Sequence, residues 1–298
     1  MEHPAYTKLV EMASTPEAME ATVEYLVDKF FFIKPKDAVL ICFTRNQPNE
    51  IGSLFGEAVK RRGGEPVYWE KDFRWKTMLR QAFSNRVNAV IGPPMVVLGL
   101  SKIARFNGTP LYIRNVVTAG YPILSWMVEG IAKGFDCNVQ GCFTPGGRLV
   151  SGFVYRKHRG AHLREDLYGV EIENPNENGV GDMILYSKQD TTVRYPTGEK
   201  AKIETENCGC PDTSLYLTHM QPGEASDLEL DAITQNLISW TSVLDCRVRR
   251  SGYGLELELI VFPGEKLPKL PSAARQVIRA WNPEKDEPIY YTPGIEKN

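Results

Sequence analysis

Apolar residues recur at helical spacing between Pro16 and Phe32, where Met19, Val23, Leu26 and Phe30 share one face of a 3.6-residue repeat. Ser14-Thr15-Pro16-Glu17, just ahead of them, reads as a helix start. Thr15 is the N-cap, and Pro16 sits in the first turn, where a missing N–H costs nothing. Ala38-Val39-Leu40-Ile41-Cys42-Phe43 is instead an unbroken apolar run, the pattern of a strand covered on both faces. The alternation continues with a helix over 51–62 stopped by Gly63-Gly64, a strand at 66–69 and a helix over 75–83. A strand at 89–91, a helix over 94–106 and a strand over 110–117 follow. This βαβα rhythm predicts a mainly parallel α/β layer.

Past about residue 134 the pattern shortens. Segments at 148–156, 169–173, 182–186, 193–195 and 201–204, separated by turn residues, predict antiparallel β hairpins. Beyond Gln221-Pro222-Gly223 the order is a helix over 226–239, a strand over 243–250, a turn at Ser251-Gly252-Tyr253-Gly254, a strand over 255–262 and a helix over 273–281. That is half of a ferredoxin-like α+β unit. The expected fold class is therefore α/β, with a mainly parallel layer, then antiparallel hairpins, then a small C-terminal α+β unit. The expected domains are 1–220 and 221–298.

Composition narrows the function. The 298 residues are 42% hydrophobic and 24% charged, as in ordinary globular proteins, and long enough to bury a core. A formal net charge of −2 provides no field to recruit nucleic acid or an anionic membrane, so neither partner is expected. No apolar run approaches the roughly 18 residues of a membrane span. Met1-Glu2-His3-Pro4 lacks the basic and apolar regions of a secretion signal. Six cysteines without such a signal predict a reducing compartment, hence a cytoplasmic location, with thiols in core or metal roles.

Several motifs fall in a recognisable order. Pro35-Lys36-Asp37-Ala38-Val39-Leu40 is similar to a P-G-D-x-V-L lead into a core strand, and Val90-Ile91-Gly92-Pro93-Pro94 to a C-G-T-P-S strand-to-helix corner. Thr118-Ala119-Gly120-Tyr121-Pro122 loosely resembles a G-A-E-P turn, and Gly160-Ala161-His162-Leu163-Arg164-Glu165-Asp166 closely resembles a G-x-H-x-x-E-D segment. Asp182–Leu185 with Val193-Arg194-Tyr195-Pro196-Thr197-Gly198-Glu199 matches G-E-L-V followed by I-R-Y-R-T-G-D. Cys208-Gly209-Cys210 stands where C-x-C-G is expected, and Leu267-Pro268-Lys269 through Ile278 frames an L-P-R-S-E-G-K-A-x-R-V-I signature. In this order, the motifs resemble the acyl-adenylate-forming superfamily, and its phenylacetate–CoA ligase-like branch in particular. The short chain and short C-terminal unit read as a truncated member.

The resemblance implies a site that joins a carboxylate to the α-phosphate of ATP, a reaction with a largely electrostatic barrier. It places Gly120 and Tyr121 at an acyl pocket, Gln140-Gly141 through Thr144 at the adenine and Mg²⁺ motif, Glu199 at the ribose and Arg194 at the pocket floor. The same comparison shows departures. The family's Mg²⁺-binding glutamate becomes Thr144, its adenine-stacking tyrosine Gln140 and its ribose aspartate Glu199. Ala273 replaces the catalytic lysine, the hinge motif is not recognisable, and Tyr6-Thr7-Lys8 is only a glycine-free remnant of the phosphate loop. The expectation is a degenerate homologue with no assigned catalytic residue. It would bind a small carboxylate, acyl-CoA or nucleotide such as ATP or AMP, or serve a partner. The alternatives are a divergent active ligase using Lys8 as its cation, or a structural subunit whose partner supplies the missing loop. A homo- or hetero-oligomer is compatible with each.

Cys208 and Cys210 with His162 suit a structural zinc ion, because soft thiolates and an imidazole favour tetrahedral zinc. Relatives place a cysteine seven residues before the histidine. Tyr155 stands there in this chain, leaving His158 or Cys142 for the fourth position. The plainer reading of the three is two loop thiols around a glycine turn and a hydrogen-bonded histidine.

Overall fold

A computed structural model describes the chain except residues 1–2, 70–73, 121–123, 156–159, 206–207, 211, 223–227, 268, 274 and 289–298. Two helices lead, α1 (Pro4–Ala13) and α2 (Pro16–Lys29). Thr15 Oγ1 accepts the Ala18 N–H at 3.3 Å and caps α2 as expected. The Tyr6-Thr7-Lys8 stretch, expected as a loop remnant, lies inside α1. His3 caps that helix, and Tyr6 and Leu9 are buried beneath it, so a local apolar face outweighs any loop tendency.

The next elements are β1 (Ala38–Ile41), α3 (Ile51–Arg61), β2 (Glu65–Tyr68), α4 (Trp75–Ser84) and β3 (Ala89–Gly92). They are followed by α5 (Pro94–Phe106), β4 (Asn115–Thr118), α6 (Ser125–Phe135) and β5 (Asn138–Phe143). Neighbouring strands pair in parallel in the order β2-β1-β3-β4-β5. Apolar residues cover both faces. Leu40, Val90 and Val116 pack with Trp75 and Leu100, while Val39, Ile41, Ile91 and Val117 pack with Leu26 and Phe55.

Beyond β5 the same sheet turns antiparallel through β6 (Gly152–Val154), β7 (Ala161–Leu163), β8 (Tyr168–Glu173), β9 (Gly181–Ser187), β10 (Arg194–Glu204) and β11 (Tyr216–Pro222). It becomes an 11-stranded sheet continuing β5-β6-β7-β11-β10-β9-β8. The two short strands expected at 193–195 and 201–204 are one strand, β10. Its register with β9 shifts between Pro196 and Lys200, where Gly198 adopts φ +75°.

The C-terminal unit comprises α7 (Leu228–Ser239), β12 (Val243–Ser251), β13 (Gly254–Val261) and β14 (Arg275–Ala280). β12 and β13 form the expected hairpin. The helix expected over 273–281 is instead strand β14, parallel to β13 with Val277 opposite Glu258. Adjacent β-branched residues, Val277 and Ile278, favour that state once β13 offers its free edge. Trp281 follows, buried edge-on against Phe106 and Phe262, whose rings stack 4.3 Å apart. One apolar cluster thus runs from Leu40 and Trp75 through α5 to Leu244, Leu259 and Trp281. Among the described residues no helix is long and apolar enough to cross a membrane.

Candidate functional site

In an open parallel sheet the strand carboxyl ends are the natural ligand crevice. Here β3 ends at Gly92, β4 at Thr118 and β5 at Phe143. Ala119-Gly120 follows β4 and Thr144 follows β5, and the two ends are tied together. The Gly120 N–H donates to Thr144 Oγ1 at 2.7 Å, with Gly120 at φ +84° and Thr144 buried. One strand back, Thr118 Oγ1 donates to the Gln140 carbonyl at 3.1 Å. Gln140 and Gly141 lie within β5, and the Gln140 side-chain oxygen is buried without a hydrogen-bond partner. The next turn, Pro145–Gly147, holds Gly146 at φ +61°. A Cβ there would lie 2.4 Å from the Tyr6 ring, whose hydroxyl donates to the Gly146 carbonyl at 2.7 Å. Gly146-Gly147 thus lies in a turn packed on Tyr6.

The remaining residues expected around a nucleotide have partners of their own. Arg194 binds Glu171 through both terminal nitrogens, at 2.8 and 2.5 Å, and also meets Glu173. Lys8 pairs with Asp190 at 3.1 Å on the surface. Glu199 lies at the β10 irregularity, its N–H bonded to Thr197 Oγ1. Part of the residue reaches solvent, yet burial of its carboxyl pushes it up to about 8. Ala273 packs against the apolar cluster of the C-terminal unit. Tyr121 and His158 lie outside the described residues. An open groove of about 180 Å³ crosses the outer face of the small sheet, with Arg275 and Val277, just beyond Ala273, in its lining. Arg249–Glu256 and Arg247–Glu258 pairs line it, and their charges largely cancel.

A second cluster is more tightly built. β7 pairs with β6 and β11, placing His162 opposite Phe153 and Tyr216. The ring is 1% exposed and stacks on Tyr216 at 4.9 Å. The loop between β10 and β11 returns over it. His162 Nε2 is 3.2 Å from both Cys208 Sγ and Cys210 Sγ, and the sulfurs are 3.1 Å apart as free thiols. These ligand atoms all lie within 4.8 Å of one another. His162 Nδ1 lies 3.1 Å from the Ser214 carbonyl, a contact that leaves Nε2 directed at the thiols when Nδ1 is the donor. Cys142, a possible fourth ligand from sequence, is instead buried on β5 in the apolar cluster with Phe153 and Ile91. Tyr155 donates its hydroxyl to Asp212.

Asp212 holds this loop to α2. Its Oδ2 accepts from Lys29 Nζ at 2.8 Å and Tyr155 Oη at 3.1 Å, and its Oδ1 from the Ser214 N–H and hydroxyl. Burial alone would raise the carboxyl, but the Lys29 and Ser214 bonds reverse that and lower it to about 2. Burial likewise depresses the Lys29 ammonium, and bonding to Asp212 and Tyr155 more than restores it. The neighbouring Arg164, 1% exposed, binds Asp166 through Nε and Nη2. Glu165 accepts the Leu215 N–H at 2.8 Å. His162 and Glu165 of the G-x-H-x-x-E-D segment therefore brace this loop. Lys29 and Asp212 were not singled out from sequence. The available signal was a lysine on the buried stripe of α2, in step with Thr22 and Leu26.

No known family profile matches the chain, and no curated protein matches it. Solved structures do. A 2-hydroxyisobutyryl-CoA ligase in the postadenylation state, bound to R3-HIB-AMP, matches with a TM-score of 0.63 at 10% identity, over 94% of this chain and 69% of the ligase. The fold is that of acyl-CoA ligases. A benzoate CoA ligase from Burkholderia xenovorans LB400 matches at 0.54 and 13% identity, over 87% of this chain and 62% of its own. The anthranilate CoA ligase AuaEII, in complex with anthranoyl-AMP, matches at 0.55 and 10%, over 88% and 59% respectively. This ligase fold accounts for the parallel layer passing into antiparallel strands, followed by a small α+β unit.

Proposed function

We propose that this chain is a degenerate relative of the phenylacetate–CoA ligase-like branch. It binds a small carboxylate, acyl-CoA or nucleotide ligand, or supports a partner, rather than making an acyl-adenylate alone. The observation that carries the reading is the Gly120–Thr144 bond. Where the motif comparison expects a carboxylate for Mg²⁺, a buried hydroxyl is already used to join two strand ends. A hydroxyl brings no negative charge to a hard cation, and one of the two acceptor lone pairs of this one is already engaged. Supporting it, Tyr6 occupies the face of the following glycine turn, and Arg194 and Lys8 are paired with acids. Ala273 supplies no cation. The same reading divides the chain near residue 220 into a shortened ligase-type body and a shortened C-terminal unit.

ATP–pyrophosphate exchange by the purified chain, across a panel of aryl and alkyl acids with Mg²⁺, tests this. The expected result is no exchange above background, with saturable AMP, acyl-CoA or carboxylate binding in calorimetry. Robust exchange would overturn it.

The three-residue cluster fits a structural zinc ion in this reading. His162 Nε2 and the two thiolates are soft-to-borderline donors already gathered on one side, and the Ser214 carbonyl orients the ring. Zinc there would fasten the β10–β11 loop to β7. Metal analysis of the protein, with Cys208→Ser as the comparison, should give one zinc in the wild type and its loss in the variant.

A further inference from the structure

We infer that Cys208 and Cys210 are a site of oxidative modification, a dithiol that hydrogen peroxide closes to an intramolecular disulfide when no metal occupies it. The inference concerns the same loop as the zinc reading but does not depend on zinc. Three observations carry it. First, the two sulfurs are 3.1 Å apart, so little more than about 1 Å of approach separates them from an S–S bond of about 2.05 Å. Second, the residue between them is Gly209, at φ +79°, a left-handed conformation that glycine adopts without strain and that leaves the two thiols facing each other across the turn. Third, both thiols are half-buried, whereas Cys42, Cys137, Cys142 and Cys246 are buried, so an oxidant in solution reaches this pair before the others.

The chemistry balances. One thiol attacks the O–O bond of hydrogen peroxide, forming a sulfenic acid and releasing one water. The second thiol displaces the hydroxyl of that sulfenic acid, forming the S–S bond and releasing a second water. The two sulfurs together give up two electrons, the peroxide takes both, and no other reductant or oxidant is required. On the Ser214 side the loop is held by Asp212, which Lys29 and Tyr155 anchor. A ring spanning a single intervening residue is strained, which makes the disulfide easily reduced again. Disulfide sulfurs are poor metal ligands, so oxidation and metal binding at this site exclude each other, and His162 Nε2 loses both thiol donors on oxidation.

The test uses the full-length chain, reduced, stripped with a chelator and treated with stoichiometric hydrogen peroxide. Free thiols are then alkylated and peptides weighed. The expected product is the peptide spanning Cys208 and Cys210 lighter by two hydrogens and unalkylated, with alkylation restored by dithiothreitol. A parallel arm preloaded with zinc should be protected. Cys208→Ser, under the same peroxide, should yield a sulfenic acid at Cys210 trapped by a dimedone-type reagent. If both cysteines alkylate fully after peroxide, or proceed to sulfinic acid without an S–S product, the inference is overturned. Closure in the stripped chain without zinc uptake would uphold it while removing the zinc reading. Zinc uptake with no closure in the stripped chain would do the reverse.

Discussion

Lys102 Nζ lies 2.6 Å from the carbonyl oxygen of Val243, joining the middle of α5 to the start of β12. The same ammonium donates to Trp240 at 3.1 Å and to the Ile238 carbonyl. It thereby satisfies carbonyls at and just beyond the end of α7, which have no partner within the helix. Burial depresses the ammonium to about 8, with Cys246 and Asp245 offsetting part of that fall. A charge is held in the interior because several acceptors converge on it, and it locks the C-terminal unit against α5. Replacing Lys102 by Met should remove all three of these bonds and lower stability by about 2–3 kcal/mol. Chemical denaturation measures that, and faster proteolysis within 228–243 should accompany it.

Lys29→Met should be more damaging, because it leaves the Asp212 carboxylate buried without its cation. Breaking such a pair from one side costs about 3–5 kcal/mol. Asp212, held near 2 against an ordinary 3.8, contributes stability that is present above its ordinary value and lost as pH falls through about 2. Acid unfolding of the variant should accordingly begin at higher pH, as followed by tryptophan fluorescence.

Glu199 gives the opposite dependence. The folded chain keeps this proton to about pH 8, whereas the unfolded chain releases it near 4.5. Between those values the folded state holds more protons, so stability falls as pH rises. At about 1.4 kcal/mol per unit, the total is at most a few kcal/mol. Glu199→Gln should flatten the slope of melting temperature against pH across that window. An unchanged slope would assign it to other groups.

Thr144→Val removes the acceptor for the Gly120 N–H and should cost about 1–2 kcal/mol, while Thr144→Ser should restore most of it. Thermal melts of the three proteins distinguish a hydrogen-bond role from simple packing, since valine keeps the volume and serine keeps the oxygen.

Much of the fold was legible because it is local. The α2 cap at Thr15, the stop at Gly63 and the apolar run beginning at Ala38 each follow from neighbours within a few residues, and each is present. β14 was not legible. Gln276-Val277-Ile278 suits a strand or a short helix, and pairing with β13 decided between them. α1 was hidden by reading its residues only as a shortened loop, although Tyr6 and Leu9 are spaced to share a helix face.

The candidate site divides along the same line. Chain order alone placed two thiols one residue apart and a histidine in a strand-forming segment, because spacing and strand propensity are local properties. It also placed Thr144 and Ala273 where charged groups were expected. Bringing His162 to Cys208 across 46 positions, or Lys29 to Asp212 across 183, required the sheet to assemble first. Such contacts draw their energy from burial and partners supplied by distant strands, and no pattern within a short stretch of chain encodes which partner that will be.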